Sequence, residues 1–314
     1  MAEMVKKATR ESYGIALTEL AEKYPQIVVL DADLAEATKT VIFKKKYPGR
    51  FIDCGIAECN MIGVAAGLAT CGKIPFATSF AMFSTGRAYE QVRNSVAYPK
   101  LNVKIVGSHA GISVGEDGAT HQCLEDIALM RELPGMVVLN PSDHYEMKAA
   151  VKAAVEHYGP VYIRLGRLAV ESFNNSDDYK FEIGKGITLR DGKDITVIAT
   201  GLMVSRALEA VKALEKQGVD ARLINIHTIK PIDRDIILKA AKETGKIVTV
   251  EEHSVIGGLG DAVSSVLCEE YPVPVTKIGV NDEFGHSGPA VDLLEQYGLC
   301  PSHIIDVVKK VLSK

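Results

Sequence analysis

Val103-Lys-Ile-Val-Gly-Ser-His-Ala-Gly-Ile-Ser-Val-Gly-Glu-Asp-Gly-Ala-Thr-His-Gln122 runs from an apolar, strand-like segment straight into a glycine loop that holds two histidines, a glutamate and an aspartate. Val103 to Val106 reads as a buried strand of a parallel sheet. Titratable groups just past such a strand's carboxyl end face the crevice where these sheets bind ligands. Glycines there let backbone approach a ligand closely. A core needs none of His109, Glu116, Asp117 or His121, so the segment reads as part of a site.

Working outward, Ile27-Val-Val-Leu30, Met136-Val-Val-Leu139 and Pro160-Val-Tyr-Ile-Arg-Leu165 are further buried strands. Met61 to Cys71, Arg87 to Ala97 and Asp143 to His157 have helical patterns between them. This alternation predicts an α/β fold. The polar run Glu171-Ser-Phe-Asn-Asn-Ser-Asp-Asp-Tyr179 lacks periodicity and reads as a linker continuing to about residue 190. A second series follows: strands at 195–199, 221–226, 246–250 and 275–278, with helices at 204–216, 234–242 and after Gly260. Two domains are expected, 1–180 and 190–314, each a mostly parallel sheet with helices on both faces.

The 314 residues carry a net charge of −4 with basic residues dispersed, which gives no basis for nucleic acid or membrane binding. No apolar run reaches the ~18 residues of a membrane span. The amino-terminal Met-Ala-Glu-Met-Val-Lys-Lys lacks a signal peptide's apolar stretch, so a cytoplasmic location is expected. Cysteines 54, 59, 71, 123, 268 and 300 form no Cys-x-x-Cys and read as reduced thiols.

Two further segments carry chemistry. In Asp53-Cys-Gly-Ile-Ala-Glu-Cys-Asn-Met61, Glu58 opens a very apolar helix. Taken alone it is a first-turn glutamate favoured by the helix dipole. If that helix is buried on all sides, Glu58 is desolvated and can share a proton with a ligand nitrogen. Phe76, Phe80 and Phe83 lie in Pro75–Tyr89 among small and hydroxyl residues. They suit either a core or a wall for a flat heteroaromatic ring. No metal site is expected, because His109, Asp117 and His121 lack a further ligand at helical or hairpin spacing.

Together, Gly-Ile-x-Glu, Pro-Phe-x-x-x-Phe-x-x-Phe and Ser-His-x-x-Ile-x-Val-Gly-Glu-Asp-Gly-x-Thr-His-Gln resemble the transketolases, in their order. Leu139-Asn-Pro-Ser-Asp143 and Glu251-Glu-His-Ser-Val-Ile-Gly-Gly-Leu-Gly260 also look like that family. The resemblance spans nearly the whole chain. It implies thiamine diphosphate as cofactor and transfer of a two-carbon ketol unit between sugar phosphates. The family's Gly-Asp-Gly and following asparagine, which hold the diphosphate and its metal, are missing; Asp191-Gly and Gly260-Asp261-Ala are the nearest approaches. The chain therefore looks like the C-terminal subunit of a split transketolase: a pyrimidine-binding domain followed by the family's C-terminal domain. A separate N-terminal subunit would bring the diphosphate site with Mg2+ or Ca2+, in an α2β2 assembly, and the isolated chain would be inactive.

The resemblance also implies roles. Glu58 matches the glutamate that faces the aminopyrimidine nitrogen and controls its tautomer. Phe80 and Phe83 match aromatics packed on that ring, while a third aromatic position falls on Gly86. His109 and His121 match histidines that contact the donor sugar's oxygens and help proton transfer. Asp117 matches an aspartate that selects a hydroxyl's configuration. Arg10 and Arg164 match arginines that grip the substrate phosphate, a task suited to permanently charged, bidentate donors. Asp33 matches an aspartate near the cofactor. The family's phosphate-contacting serine falls on Ala37, where Thr38 could substitute. His227, His253 and His286 read as structural, and the sequence assigns no chemical role to Cys59 or His253.

Two other families share parts of this pattern. The β subunit of 2-oxo acid dehydrogenases has Ile-Ala-Glu, but the Gly-Glu-Asp-Gly-x-Thr-His run is not expected there. Deoxyxylulose-phosphate synthase shares Asp-Gly-x-Thr-His, but has aspartate at the position of His109 and is one longer chain. A non-catalytic regulatory subunit is a third reading, opposed by the presence of Glu58, both histidines, Asp117 and both arginines.

Overall fold

The computed structural model describes residues 5–174 and 179–314; Met1–Met4 of the amino-terminal reading and Asn175–Asp178 of the linker reading lie outside them. Among the described residues the strands are β1 (Lys6–Ala8), β2 (Ile27–Asp31), β3 (Phe51–Asp53), β4 (Ile74–Phe80), β5 (Lys104–Ser108), β6 (Val137–Leu139) and β7 (Val161–Arg164). They continue with β8 (Ala169–Glu171), β9 (Ile187–Arg190), β10 (Ile195–Ala199), β11 (Ala221–Asn225), β12 (Thr228–Lys230), β13 (Ile247–Ser254) and β14 (Val275–Val280).

A seven-stranded sheet has the order β12-β6-β7-β5-β4-β2-β3, and a five-stranded sheet the order β14-β13-β10-β11-β9. Each is parallel except for one edge strand, β12 against β6 and β9 against β11. β1 and β8 form a small antiparallel pair. The expected α/β architecture is therefore present in both halves. The large sheet also borrows its edge strand β12 from the second half, with Thr228 opposite Leu139.

Parallel strands buried on both faces need cover on both. Helices Thr9–Lys23 and His144–Glu156 cover one face, around Tyr13, Leu17, Phe76, Val106, Met147 and Ile163. Helices Glu58–Thr70 and Asp126–Glu132 cover the other, around Leu30, Met61, Ile62, Ala77, Ile105 and Ile127. That second cluster runs without a break into the other sheet through Ile198, Ile224, Leu259 and Val263. Among the described residues no helix is long and apolar enough to cross a membrane.

Three local results depart from the pattern-based expectation. Helix Glu58–Thr70 is not buried all round, since Asn60, Gly63 and Gly67 are exposed on the side turned away from the sheet. The predicted helix Arg87–Ala97 is drawn wide, with π-helical turns at Met82–Arg87 and Val92–Ala97. Its i→i+5 bonds include Ala88 N–H to the Phe83 carbonyl at 3.2 Å, and the Thr85 hydroxyl bonds back to the Ala81 carbonyl at 2.7 Å. The linker is anchored at both ends. The N–H groups of Phe173 and Asn174 donate to the Asp143 carboxylate, and Tyr179 donates to Glu146.

Candidate active site

Five adjacent parallel strands end at one edge of the large sheet and deliver the predicted residues there. β2 runs into Asp33, β3 leads through the Gly55 turn to Glu58, β4 ends at Phe80, β5 runs into His109 and β7 ends at Arg164. Asp33, Lys39 and His109 have positive φ (62°, 67° and 56°), three of the four non-glycine residues that do so among those described. Such backbone costs on the order of 1–3 kcal/mol each and gathers at functional edges.

Glu58 begins its helix and is 2% exposed. Arg87 Nη1 donates to Glu58 Oε2 at 3.0 Å, and the Arg87 guanidinium lies 4.5 Å from the centre of the Phe83 ring. Phe80 stacks on Phe83 with an interplanar angle of 12° and centroids 6.2 Å apart. His109 stacks on Phe80 at 4.1 Å, and His121 meets Phe83 edge-on at 5.2 Å. Glu58, both phenylalanines and both histidines thus converge. Beside them a cleft of about 740 Å³ opens toward the second domain, lined by Phe83, Arg87, Thr120 and Glu125 from one side and Glu283 and Phe284 from the other.

His109 is 4% exposed. Arg10 Nη1 lies 3.1 Å from its Nε2, and the Ser108 hydroxyl lies 2.9 Å from Nδ1. Because a guanidinium only donates, Nε2 accepts and Nδ1 carries the hydrogen. Burial first, then Arg10, Arg167 and Lys39, depress the His109 pKa to about 3. The ring is neutral at physiological pH. Burial and Arg167 also push the Arg10 pKa down. Cations crowded around a neutral histidine form a pole suited to an anion.

The loop that carries these groups rests on the second domain. Ser113 N–H donates to Glu252 Oε1 at 2.7 Å, and Gln122 Nε2 donates to the His286 carbonyl at 3.0 Å. A Cβ at Gly111 would strike the Glu252 carboxylate, and one at Gly118 the Ser287 hydroxyl. Asp117 is exposed on this loop, and neighbouring Glu116 pairs with Arg167 at 2.6 Å.

Arg164 is not brought to the cleft. It is 4% exposed, with Nε at 2.8 Å and Nη2 at 3.2 Å from the Asp126 carboxylate and Nη2 also on the Glu252 carbonyl. Burial alone would raise the pKa of Asp126, but Arg164 and the Tyr162 hydroxyl outweigh it and hold the carboxyl below its usual range. Arg164 is thus consumed by a buried ion pair, for the physical reason that Tyr162 and Arg164 share one face of β7. Thr38 is unavailable too. It is buried, and its hydroxyl is committed to Asp31 Oδ2 at 2.8 Å. Asp33 is exposed, its N–H donating to Asp53, beside a smaller hollow that also touches Ala37. In the second domain His227 stacks on Phe181, His253 is buried with Nδ1 on the Ser254 carbonyl, and His286 pairs with Gln296 and Tyr297.

Sequence reasoning missed Arg87, Arg167 and Lys39. The signal for Arg167 was a cation just past Gly166 at the same strand end, and for Arg87 a cation one helical turn beyond Phe83.

The aminopyrimidine half of thiamine diphosphate is flat, with hydrogen-bonding nitrogens along its edge. Phe83 and Glu58 already hold a flat, nitrogen-edged group in the Arg87 guanidinium, so the residues present fit that half. Among the described residues no cluster of three or more His, Cys, Asp or Glu could hold a metal ion.

Comparison with known proteins gives the family. The family profile "Transketolase, pyrimidine binding domain" matches residues 5–172, and "Transketolase, C-terminal domain" matches residues 184–304. A "Putative transketolase C-terminal section" of Methanocaldococcus jannaschii is 51% identical over 99% of this chain and 98% of its own length. The "6-deoxy-6-sulfo-D-fructose transketolase subunit SqwH" of a Clostridium species is 46% identical over 97% and 94%. A solved "Split gene transketolase, inactive beta4 tetramer" superposes with a TM-score of 0.91 at 55% identity, covering 98% of this chain and 99% of that one.

Proposed function

This chain belongs to the transketolase family, and we propose that it supplies the pyrimidine-facing and sugar-facing half of a two-subunit enzyme that moves a two-carbon ketol unit from a ketose phosphate to an aldose phosphate. A separate N-terminal subunit brings the diphosphate site and its Mg2+ or Ca2+, and the working form is α2β2. The observation that carries this reading is the convergence of Glu58, Phe80, Phe83, His109 and His121. The six cysteines are free thiols, which suits the cytoplasm as the location we propose.

When bound, thiamine diphosphate supplies the electron sink that splits the ketose. The chain's own groups position and move protons. Glu58, shielded from water, would hold the pyrimidine edge through a hydrogen bond. Phe80 and Phe83 would pack against its ring. His121, only partly buried, is the histidine free to exchange a proton with a sugar oxygen. Neutral His109 presents Nε2 to a sugar hydroxyl only when Arg10 turns away. A substrate phosphate gives Arg10 that reason, and Arg167 with Lys39 completes the cationic pole in place of Arg164. Asp117, exposed at the rim, would select a hydroxyl, and Asp33 would sit near the cofactor.

The test pairs the chain with its N-terminal partner and thiamine diphosphate. Xylulose 5-phosphate plus ribose 5-phosphate should be converted, while pyruvate as donor should not. Because one relative is named for a sulfonated fructose, that donor belongs in the panel. Full turnover by the chain alone would overturn the proposal.

A further inference from the structure

Glu58 is a buried carboxylate, and a buried charge needs a partner. Arg87 does so at 3.0 Å while laying its guanidinium on Phe83. Glu58 is the one hydrogen-bond partner of the Arg87 side chain among the described residues. Arg87 closes the π-helical turn Met82–Arg87, and its side chain is 50% exposed, so one end of it already borders solvent.

From these positions we propose that Arg87 is a built-in surrogate for the cofactor's pyrimidine, occupying the Glu58 carboxylate and the Phe83 face until thiamine diphosphate displaces it. The inference rests on the functional reading above. A guanidinium is planar, delocalised and edged with N–H donors. An aminopyrimidine has the same flat shape, and its edge carries an amino donor and ring nitrogens that donate to a carboxylate once protonated. The Phe83 face and Glu58 Oε2 are therefore contested by two groups of matching form. Loading the cofactor requires Arg87 to swing into the neighbouring cleft, whose walls carry Glu125 and Glu283. These two acidic groups give the displaced cation a destination. Affinity for the cofactor is then set partly by a competitor inside the chain, and it rises only when the partner subunit anchors the diphosphate.

Arg87→Met tests this, since methionine keeps apolar bulk but neither donates nor carries charge. Arg87→Lys keeps the charge and loses the plane. Thiamine diphosphate is titrated calorimetrically into the complete two-subunit assembly, and the chain alone is melted without cofactor. The expected result is a dissociation constant lower by roughly tenfold in Arg87→Met, the factor by which an occupied site taxes binding when its open form is about a tenth of the population. Arg87→Lys should fall between. The cofactor-free melting temperature of Arg87→Met should drop by about 3 °C or more, as Glu58 loses its partner. Equal or weaker binding by Arg87→Met would overturn the proposal, because it would mean that Arg87 holds Glu58 ready for the ring. An unchanged melting temperature would overturn it as well. If the wild-type assembly itself bound no thiamine diphosphate, the functional reading would fall and take this inference with it; binding by wild type with no gain in Arg87→Met would remove the inference alone.

Discussion

The Arg10 guanidinium reaches His109 Nε2 across 3.1 Å, joining the first helix to the loop after β5. That contact fixes the histidine's tautomer and, second to burial, keeps it neutral. Replacing Arg10 by methionine removes one of the cations that depress the ring, so the His109 pKa should rise from about 3 toward the ordinary value near 6.5. The histidine C2–H signal, followed by NMR from pH 3 to 8, reads this directly; an unmoved midpoint would mean burial alone sets it. The linkage has a definite sign. The unfolded chain takes up this proton near pH 6.5 and the folded chain only near 3. His109 therefore subtracts stability as pH falls through that window, and Arg10→Met should narrow it.

Glu58→Ala should nearly abolish turnover in the complete assembly, by about 10²-fold or more, which is the range for loss of a group that controls proton position. Glu58 is buried with one cationic partner, so the variant should still fold, and circular dichroism checks that. Retained activity with a normal spectrum would remove Glu58 from the mechanism.

Arg164→Met and Arg167→Met should behave oppositely. The first strands Asp126 as an unpaired charge in the core and should cost about 3–5 kcal/mol in urea unfolding. The second removes a partly exposed cation, should leave stability nearly unchanged, and should raise KM for a phosphorylated donor. A large KM effect in a stable Arg164→Met variant would restore that residue to the phosphate pole.

Gly111→Ala tests the seat of the loop after β5 on the second domain. Gly111 has φ 87°, and a methyl there collides with the Glu252 carboxylate that holds Ser113. A loss of roughly 1–3 kcal/mol is expected. Faster amide hydrogen exchange across 111–118 should accompany it. Exchange that stays slow would show that Glu252 does not hold the loop.

Much of this was readable from residue patterns. Strand and helix periodicity gave the two sheets, and the helical pattern from Asp143 to His157 is a helix that the Asp143 carboxylate caps. Phe80, Phe83, His109 and His121 converge because their strand ends are neighbours in a parallel sheet, which the alternation implied. What was not readable depends on long-range partners. β12 joins the large sheet from 89 residues beyond Leu139, and nothing in Thr228-Ile-Lys230 announces its destination. Arg164 and Arg167 look alike in sequence. Only the buried Asp126, 38 residues away, decides which of them is consumed. The π-helical turn that aims Arg87 at Glu58 has no periodic signature at all.

β12 makes the second half of the polypeptide a hem on the first, since the rim of β6 is closed by amides and carbonyls that arrive from past residue 227. A gene truncated near residue 180 would ship a product with a frayed selvedge of unmatched backbone groups, ready to zip onto any extended peptide it meets. Engineers wishing to transplant the ring-binding module should therefore carry that short ribbon along with it.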